Sequence, residues 1–163
     1  MAPEDAPFLS VVIPAYNEKD NIAPLAAAIG EALPRDMKRE LIFVIDGSSD
    51  GSLDTLRALA ASDPNVRYIS FSRNFGHQAA LRAGIEAARG ECTVMMDGDF
   101  QHPPALIPQL IDAYRRGYDI VQTRRLDDDA PAGDPAAAGG PAKRSRRTSL
   151  GKRLTSRLFY SLV

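Results

Sequence analysis

Short apolar runs alternate along the chain with stretches whose apolar residues recur every three to four positions. Leu9-Ser10-Val11-Val12-Ile13, stopped by Pro14, reads as a buried strand. A stretch with helical spacing follows from Asp20 to Leu33, with Ile22, Leu25, Ala26 and Ile29 on one face. The same alternation predicts strands at Leu41–Ile45, Val66–Phe71, Cys92–Met96 and Asp119–Thr123. Helices are expected at Ser52–Ala61, Gln78–Ala88 and Pro104–Arg115, where Pro104 suits a first helical turn. Strands separated by helices of this length imply right-handed βαβ units, hence an α/β fold with a mostly parallel sheet flanked by helices. Sheets of this kind bind ligands beyond the carboxyl ends of their strands. That rule directs attention to the segments after the first, second and fourth strands.

The alternation breaks after residue 125. Residues 126–145 are rich in Pro, Gly, Ala and Asp with almost nothing to bury, and read as a flexible loop or linker. Periodicity returns over 146–163, where Leu150, Leu154, Leu158 and Leu162 are joined by Phe159 and Val163 among basic residues. A basic amphipathic helix is expected there. Residues 1–125 therefore form the predicted globular domain.

Charge sharpens this division. All 21 acidic residues lie at or before Asp134, while Lys143, Arg144, Arg146, Arg147, Lys152, Arg153 and Arg157 supply 7 of the 20 basic ones. An acidic body joined to a basic arm suggests an anionic partner for the arm. The remaining composition, 44% apolar and 25% charged, is that of an ordinary globular protein. A single cysteine, Cys92, excludes an intramolecular disulfide, and its apolar surroundings predict a buried, inert thiol. The N-terminal MAPEDAPFLS does not read as a signal peptide, and no apolar run approaches the roughly 20 residues of a membrane span. A cytoplasmic chain is expected, peripheral at the inner face of a membrane if the arm docks there.

Three segments leave strand ends at the predicted ligand edge. In Pro14-Ala15-Tyr16-Asn17-Glu18, an aromatic ring and a carboxylate suit a base and the polar groups of a nucleotide; a helix-capping turn is the structural alternative. In Asp46-Gly47-Ser48-Ser49-Asp50-Gly51, Asp46 could accept from a base or ribose, although these are also turn residues. A calcium loop fails here, because its last ligand position falls on Arg57. The third segment, Met96-Asp97-Gly98-Asp99-Phe100-Gln101-His102-Pro103-Pro104, places two carboxylates around a glycine after an apolar strand. Hard oxygen ligands of this kind suit Mg²⁺ or Mn²⁺ carrying a diphosphate. Alternation along an extended segment would point Asp97, Asp99 and Gln101 the same way. No GxGxxG, no Walker-type loop and no hydrolase elbow occurs, and His77 and His102 lack nearby Cys or His partners for a zinc site.

Together these segments resemble family 2 glycosyltransferases of the GT-A fold, within them the dolichol-phosphate mannosyltransferase and bactoprenol glucosyltransferase group. The matching stretches are Val11–Glu18, Ile45–Ser52, Ser72–Ile85 and Met96–Pro104, with Arg124 after the predicted fifth strand and Lys152–Tyr160 in the arm. The resemblance implies nucleoside contacts from Pro14, Tyr16 and Glu18, and a base and ribose site lined by Val44 and Asp46. It implies Asp97 and Gly98 beside the ribose and diphosphate, a metal on Asp99 and Gln101, and Arg124 on a donor or acceptor phosphate. Asp97, Asp99 and Arg124 would thus carry catalysis. Ile45 stands where the family has the first of two aspartates and cannot accept from a base, which leaves UDP and GDP both open. The chain also stops at Val163, before the family's later acceptor-side strands and membrane helices, so an incomplete, truncated GT-A domain is expected.

The expected reaction is metal-dependent, inverting transfer of a sugar from a nucleotide-diphosphate sugar to a polyprenyl phosphate at the membrane surface. A phosphate acceptor is already an anion and needs no general base, and no carboxylate follows Asp134. Nucleic acid is not an expected partner of so acidic a body. The competing expectation is a truncated, non-catalytic module that binds nucleotide sugar or a partner protein.

Overall fold

The computed structural model describes residues 6–123. Its strands are β1 (Leu9–Ala15), β2 (Arg39–Ile45), β3 (Val66–Ser70) and β4 (Cys92–Met95). The helices are α1 (Lys19–Ala32), α2 (Ser52–Ser62), α3 (His77–Ala87) and α4 (Ile107–Arg115), the last entered through a 3₁₀ turn at Pro104–Leu106. The sheet is wholly parallel in the order β3-β2-β1-β4. The chain fills β1 to β3 outward, then returns to lay β4 on the other side of β1. A crevice between the strand ends is expected at that reversal.

Strand alternation sorts the core into two faces. Leu9, Val11 and Ile13 of β1, with Leu41, Phe43 and Ile45 of β2, meet Ile22, Leu25 and Ile29 of α1, Leu56 of α2, and Ile107, Leu110 and Ile111 of α4. On the other face Ile42 and Val44 pack against Ala80 of α3. Gly84 lets α3 come close, since a Cβ there would lie 2.3 Å from Val12 Cγ1. Pro24 interrupts the hydrogen bonding of α1 but lies on its exposed face, where water can satisfy the released carbonyl. Cys92 is buried, and burial, aided by Glu91 against the opposing Arg115, pushes its thiol up to about 11, so it is inert as expected.

The elements fall where hydrophobic periodicity placed them, with one exception. Asp119–Thr123 forms no strand; Gln122 makes an isolated bridge only. Ile120 is 67% exposed, and Val121 alone of the segment's apolar residues packs on the core. A strand needs a neighbour along its length, and this segment makes that single bridge only. The predicted linker 126–145, the predicted helix 146–163 and Arg124 lie outside the described residues.

Candidate active site

Two loops at the reversal are stitched together by their own side chains. Asn17, at φ 56°, donates its N–H to Ser48 Oγ (2.9 Å) and accepts from Ser49 N–H on its side-chain oxygen (3.0 Å). Glu18 N–H donates to Ser52 Oγ (3.1 Å), and Lys19 N–H to Asp50 (3.0 Å). Burial raises the Asp50 carboxyl, but hydrogen bonds from Ser52 and from the Lys19 and Ser52 N–H groups outweigh it and hold it below its ordinary value. Asn17, Ser48, Asp50 and Ser52 thus act as a lace that fixes Tyr16 and Glu18, leaving the Tyr16 ring 51% exposed at the rim.

A third loop joins them through Asp46. Its oxygens accept from Phe75 N–H (2.6 Å) and Gly76 N–H (2.9 Å), and only 3% of the residue is exposed. Gly47 is obligatory beneath this contact: it has φ 68°, and a Cβ would lie 2.3 Å from the backbone of Arg73 and Asn74. The segment after β3 therefore belongs to the site as well. Strand-end reasoning overlooked it, although Gly76 just before a helix was a readable signal.

The fourth loop carries the two flanking aspartates, and it turns rather than extends. Asp97 N–H donates to His102 Nδ1 (2.8 Å), Phe100 sits at φ 61°, and Gln101 N–H closes back onto Asp99 (3.0 Å). The Gln101 carboxamide also donates to Asp99, at 2.6 Å. Asp99 and Gln101 do stand side by side, but a tight turn brings them together instead of strand alternation. Burial pulls His102 below the ordinary histidine value against the opposing pull of Asp97 and Asp99, so its imidazole is neutral and can accept at Nδ1.

These loops enclose a cleft of about 400 Å³, within the span of roughly 300–1,000 Å³ usual for small-ligand pockets. Pro14, Tyr16, Glu18, Asp46, Asp97, Gly98 and Asp99 all line it, joined by Asn74, Gly76, His77 and Ala80, which fall in the matching stretch Ser72–Ile85 but had no role assigned from the sequence. Gly98 seats the fourth loop on the first, since a Cβ would lie 3.3 Å from Pro14 O. Val44 is not on the wall but fully buried against Ala80, and Ile45 points into the opposite core. Among the described residues no group of three His, Cys, Asp or Glu is arranged to hold a metal. The Gln101 carboxamide turns its nitrogen to Asp99; with the amide turned over, its oxygen would stand beside the Asp99 carboxylate as a second hard ligand for a divalent ion whose remaining ligands come from a ligand or water.

A bactoprenol glucosyl transferase of Shigella phage SfV is 38% identical over 120 residues, covering 73% of this chain and 39% of that one. An undecaprenyl-phosphate 4-deoxy-4-formamido-L-arabinose transferase of Edwardsiella ictaluri is 41% identical over 123 residues, 74% of this chain and 38% of that one. The chain thus spans well under half the length of these curated relatives. The solved mannosyltransferase PcManGT of Pyrobaculum calidifontis, in complex with GDP-Man and Mn²⁺, shares the fold at a TM-score of 0.52 and 31% identity, over 61% of this chain and 30% of that one. The architecture is the GT-A fold. The model of glycosyl transferase family 2 matches residues 10–155, and the chain belongs to that family.

Proposed function

We propose that this chain forms the donor-binding half of a glycosyltransferase that moves a sugar, with inversion, from a nucleotide-diphosphate sugar to a polyprenyl phosphate. The observation that carries the reading is the cleft at the β1/β4 reversal, where Tyr16 and Glu18 face Asp97 and Asp99 across a laced floor. Tyr16 offers its exposed ring to the base, Glu18 and Asp97 offer acceptors to sugar hydroxyls, and Gly98 allows close approach of the diphosphate.

Charge explains why a cation belongs in this reading. Glu18, Asp46, Asp97 and Asp99 line the cleft, and His77 is the one basic residue among its lining. A bare diphosphate would be repelled. Asp99 and Gln101 would hold a Mg²⁺ or Mn²⁺ ion, which when bound neutralises charge on the diphosphate leaving group. The acceptor phosphate oxygen attacks the anomeric carbon as the bond to the diphosphate breaks, and the nucleoside diphosphate departs. No general base is required for an acceptor that is already anionic. Arg124 is placed by this reading on a phosphate of donor or acceptor.

The acceptor is suggested by the two relatives named for bactoprenol and undecaprenyl phosphate. The cluster of positive charge after residue 142 suits an anionic membrane surface, where that lipid resides. No helix among the described residues is long and apolar enough to cross a membrane. The test is transfer from UDP-glucose or GDP-mannose to a short polyprenyl phosphate with Mn²⁺, compared with Asp99→Ala. Transfer by the wild type and its loss in the variant is the expected result. Nucleotide binding with no transfer by either protein would leave a binding module instead of an enzyme.

A further inference from the structure

The chain has two histidines, 25 positions apart, and the fold brings both to one carboxylate. His102 Nδ1 lies 3.8 Å from one oxygen of Asp97 and His77 Nε2 lies 3.6 Å from the other. The two imidazoles stand differently. His102 is 2% exposed, and its Nδ1 accepts the backbone N–H of Asp97. It fixes the main chain, but the nitrogen that faces the carboxylate carries no proton to give. His77 is half exposed in the cleft, and its Nε2 faces the same carboxylate from there.

The place of His77 is built by the fold. It is the first residue of α3, directly after Gly76 at φ 95°. The Phe75 and Gly76 N–H groups are held by Asp46, so the start of α3 is tied to the end of β2 and its first side chain stands over the cleft. At 3.6 Å the pair is a few tenths of an ångström beyond hydrogen-bond reach, a gap of the kind that closes when a ligand draws the walls together.

We infer that His77 is a positioning residue: with donor bound, its Nε2–H holds the Asp97 carboxylate in the orientation that accepts from the ribose hydroxyls. The inference rests on the reading of the cleft as a nucleotide-sugar site and adds the residue that sets its ribose contact. His102 anchors the backbone of Asp97 from the buried side and His77 its side chain from the cleft.

The test is calorimetric titration of the full 163-residue chain with UDP and GDP, and with their 2′,3′-dideoxy counterparts, in Mn²⁺. The expected result is that His77→Ala weakens binding about tenfold, the scale of one hydrogen bond to a charged group. Its preference for ribose over dideoxyribose should shrink in step, with the melting temperature unchanged. His77→Gln, which keeps an N–H at similar reach, should recover most of the loss. In an Asp97→Asn background, His77→Ala should have no further effect. Wild-type affinity and ribose preference in His77→Ala would overturn the inference alone, as would a full tenfold loss persisting in the Asp97→Asn background. A wild-type chain that binds neither nucleotide would overturn the reading of the cleft and this inference with it.

Discussion

The two ends of the parallel sheet use carboxylates in opposite ways. Where the strands begin, Glu40 of β2 is 2% exposed and its oxygens are crowded with donors: Ser10 Oγ at 2.7 Å, Arg67 Nη1 at 2.6 Å, and Arg89 through both its N–H (2.7 Å) and its guanidinium (3.0 Å). Burial raises this carboxyl, but the hydrogen bonds from Ser10, Arg67 and Arg89 together hold it below its ordinary value. Where the strands end, Asp97 stays 36% exposed with imidazole nitrogens 3.6 and 3.8 Å from its oxygens, and Asp99 lines the cleft while accepting hydrogen bonds from Gln101 of its own turn. One end is complete without a ligand, and the other is left for a ligand to complete. A cavity of about 670 Å³ also opens near Glu40, lined by Phe8, Met37, Arg89 and Arg115 among others, but it lies at the end where open α/β sheets do not bind substrates.

Helix α3 spans the two ends and shows how they are linked. Asp46, just past β2, grips the N–H groups before the helix, while Glu40 near the start of β2 grips Arg89 after it. One strand thus clamps one helix at both ends with carboxylates. The lower clamp serves stability alone, whereas the upper one also sets the wall that carries His77.

The largest effect expected from this contrast is at Asp99. Its replacement by Ala should lower transfer by about 10²- to 10³-fold, the usual loss when one group stabilising developing charge is removed, with no change in melting temperature. Equal loss of stability would break the contrast. Next comes Glu40→Gln, which weakens the charge-assisted bonds from Arg67 and Arg89 while both guanidinium groups stay partly hydrated, and should cost about 2 kcal/mol in urea unfolding at pH 7. Because the folded carboxyl titrates below its ordinary value of 4.5, this stabilisation is complete above that pH. It disappears as the pH falls through the folded value, so wild type and variant should converge in acid. Convergence at alkaline pH instead would refute the assignment.

Asp46→Asn tests the shared clamp. It should cost about 2 kcal/mol of stability, since two charge-assisted bonds weaken, and it should weaken nucleotide binding as well, which Glu40→Gln should not do per folded molecule. The smallest effect is expected at Ser52→Ala. That variant loses the hydroxyl accepting Glu18 N–H and should cost about 1 kcal/mol by thermal melting.

Much of this was legible before any coordinates. β1, β2 and β4 are apolar enough to lie only inside, while β3 shows the alternation of a half-exposed edge strand, so periodicity alone places them. The acceptors Glu18, Asp97 and Asp99 were readable because each follows such a run at the edge where ligands bind. Asn17, Asp50 and Ser52 were ambiguous, because ligand and turn chemistry draw on the same residue types. Only hydrogen-bond partners 31 to 34 positions away show that they lace two loops together. Asp119–Thr123 misled because its β-branched residues promise a strand, while strand formation depends on a neighbour that local sequence does not contain.

Hydrophobic periodicity determined the layered α/β architecture and the ligand-bearing edge, since these follow from local pattern and chain direction, and the resemblance of the strand-end motifs pointed to the family. The sheet order and everything that depends on it were decided by tertiary structure. Ser10, Glu40, Arg67 and Arg89 look like unrelated residues in the sequence, and Asp46 and Asp97, readable as separate strand-end acceptors, show no link there to His77 or to each other. They become two clusters only when β2 and β4 lie on either side of β1 and α3 crosses between the ends of the sheet. A hydrogen bond depends on distance in space, and the chain brings these groups within reach of one another only by folding.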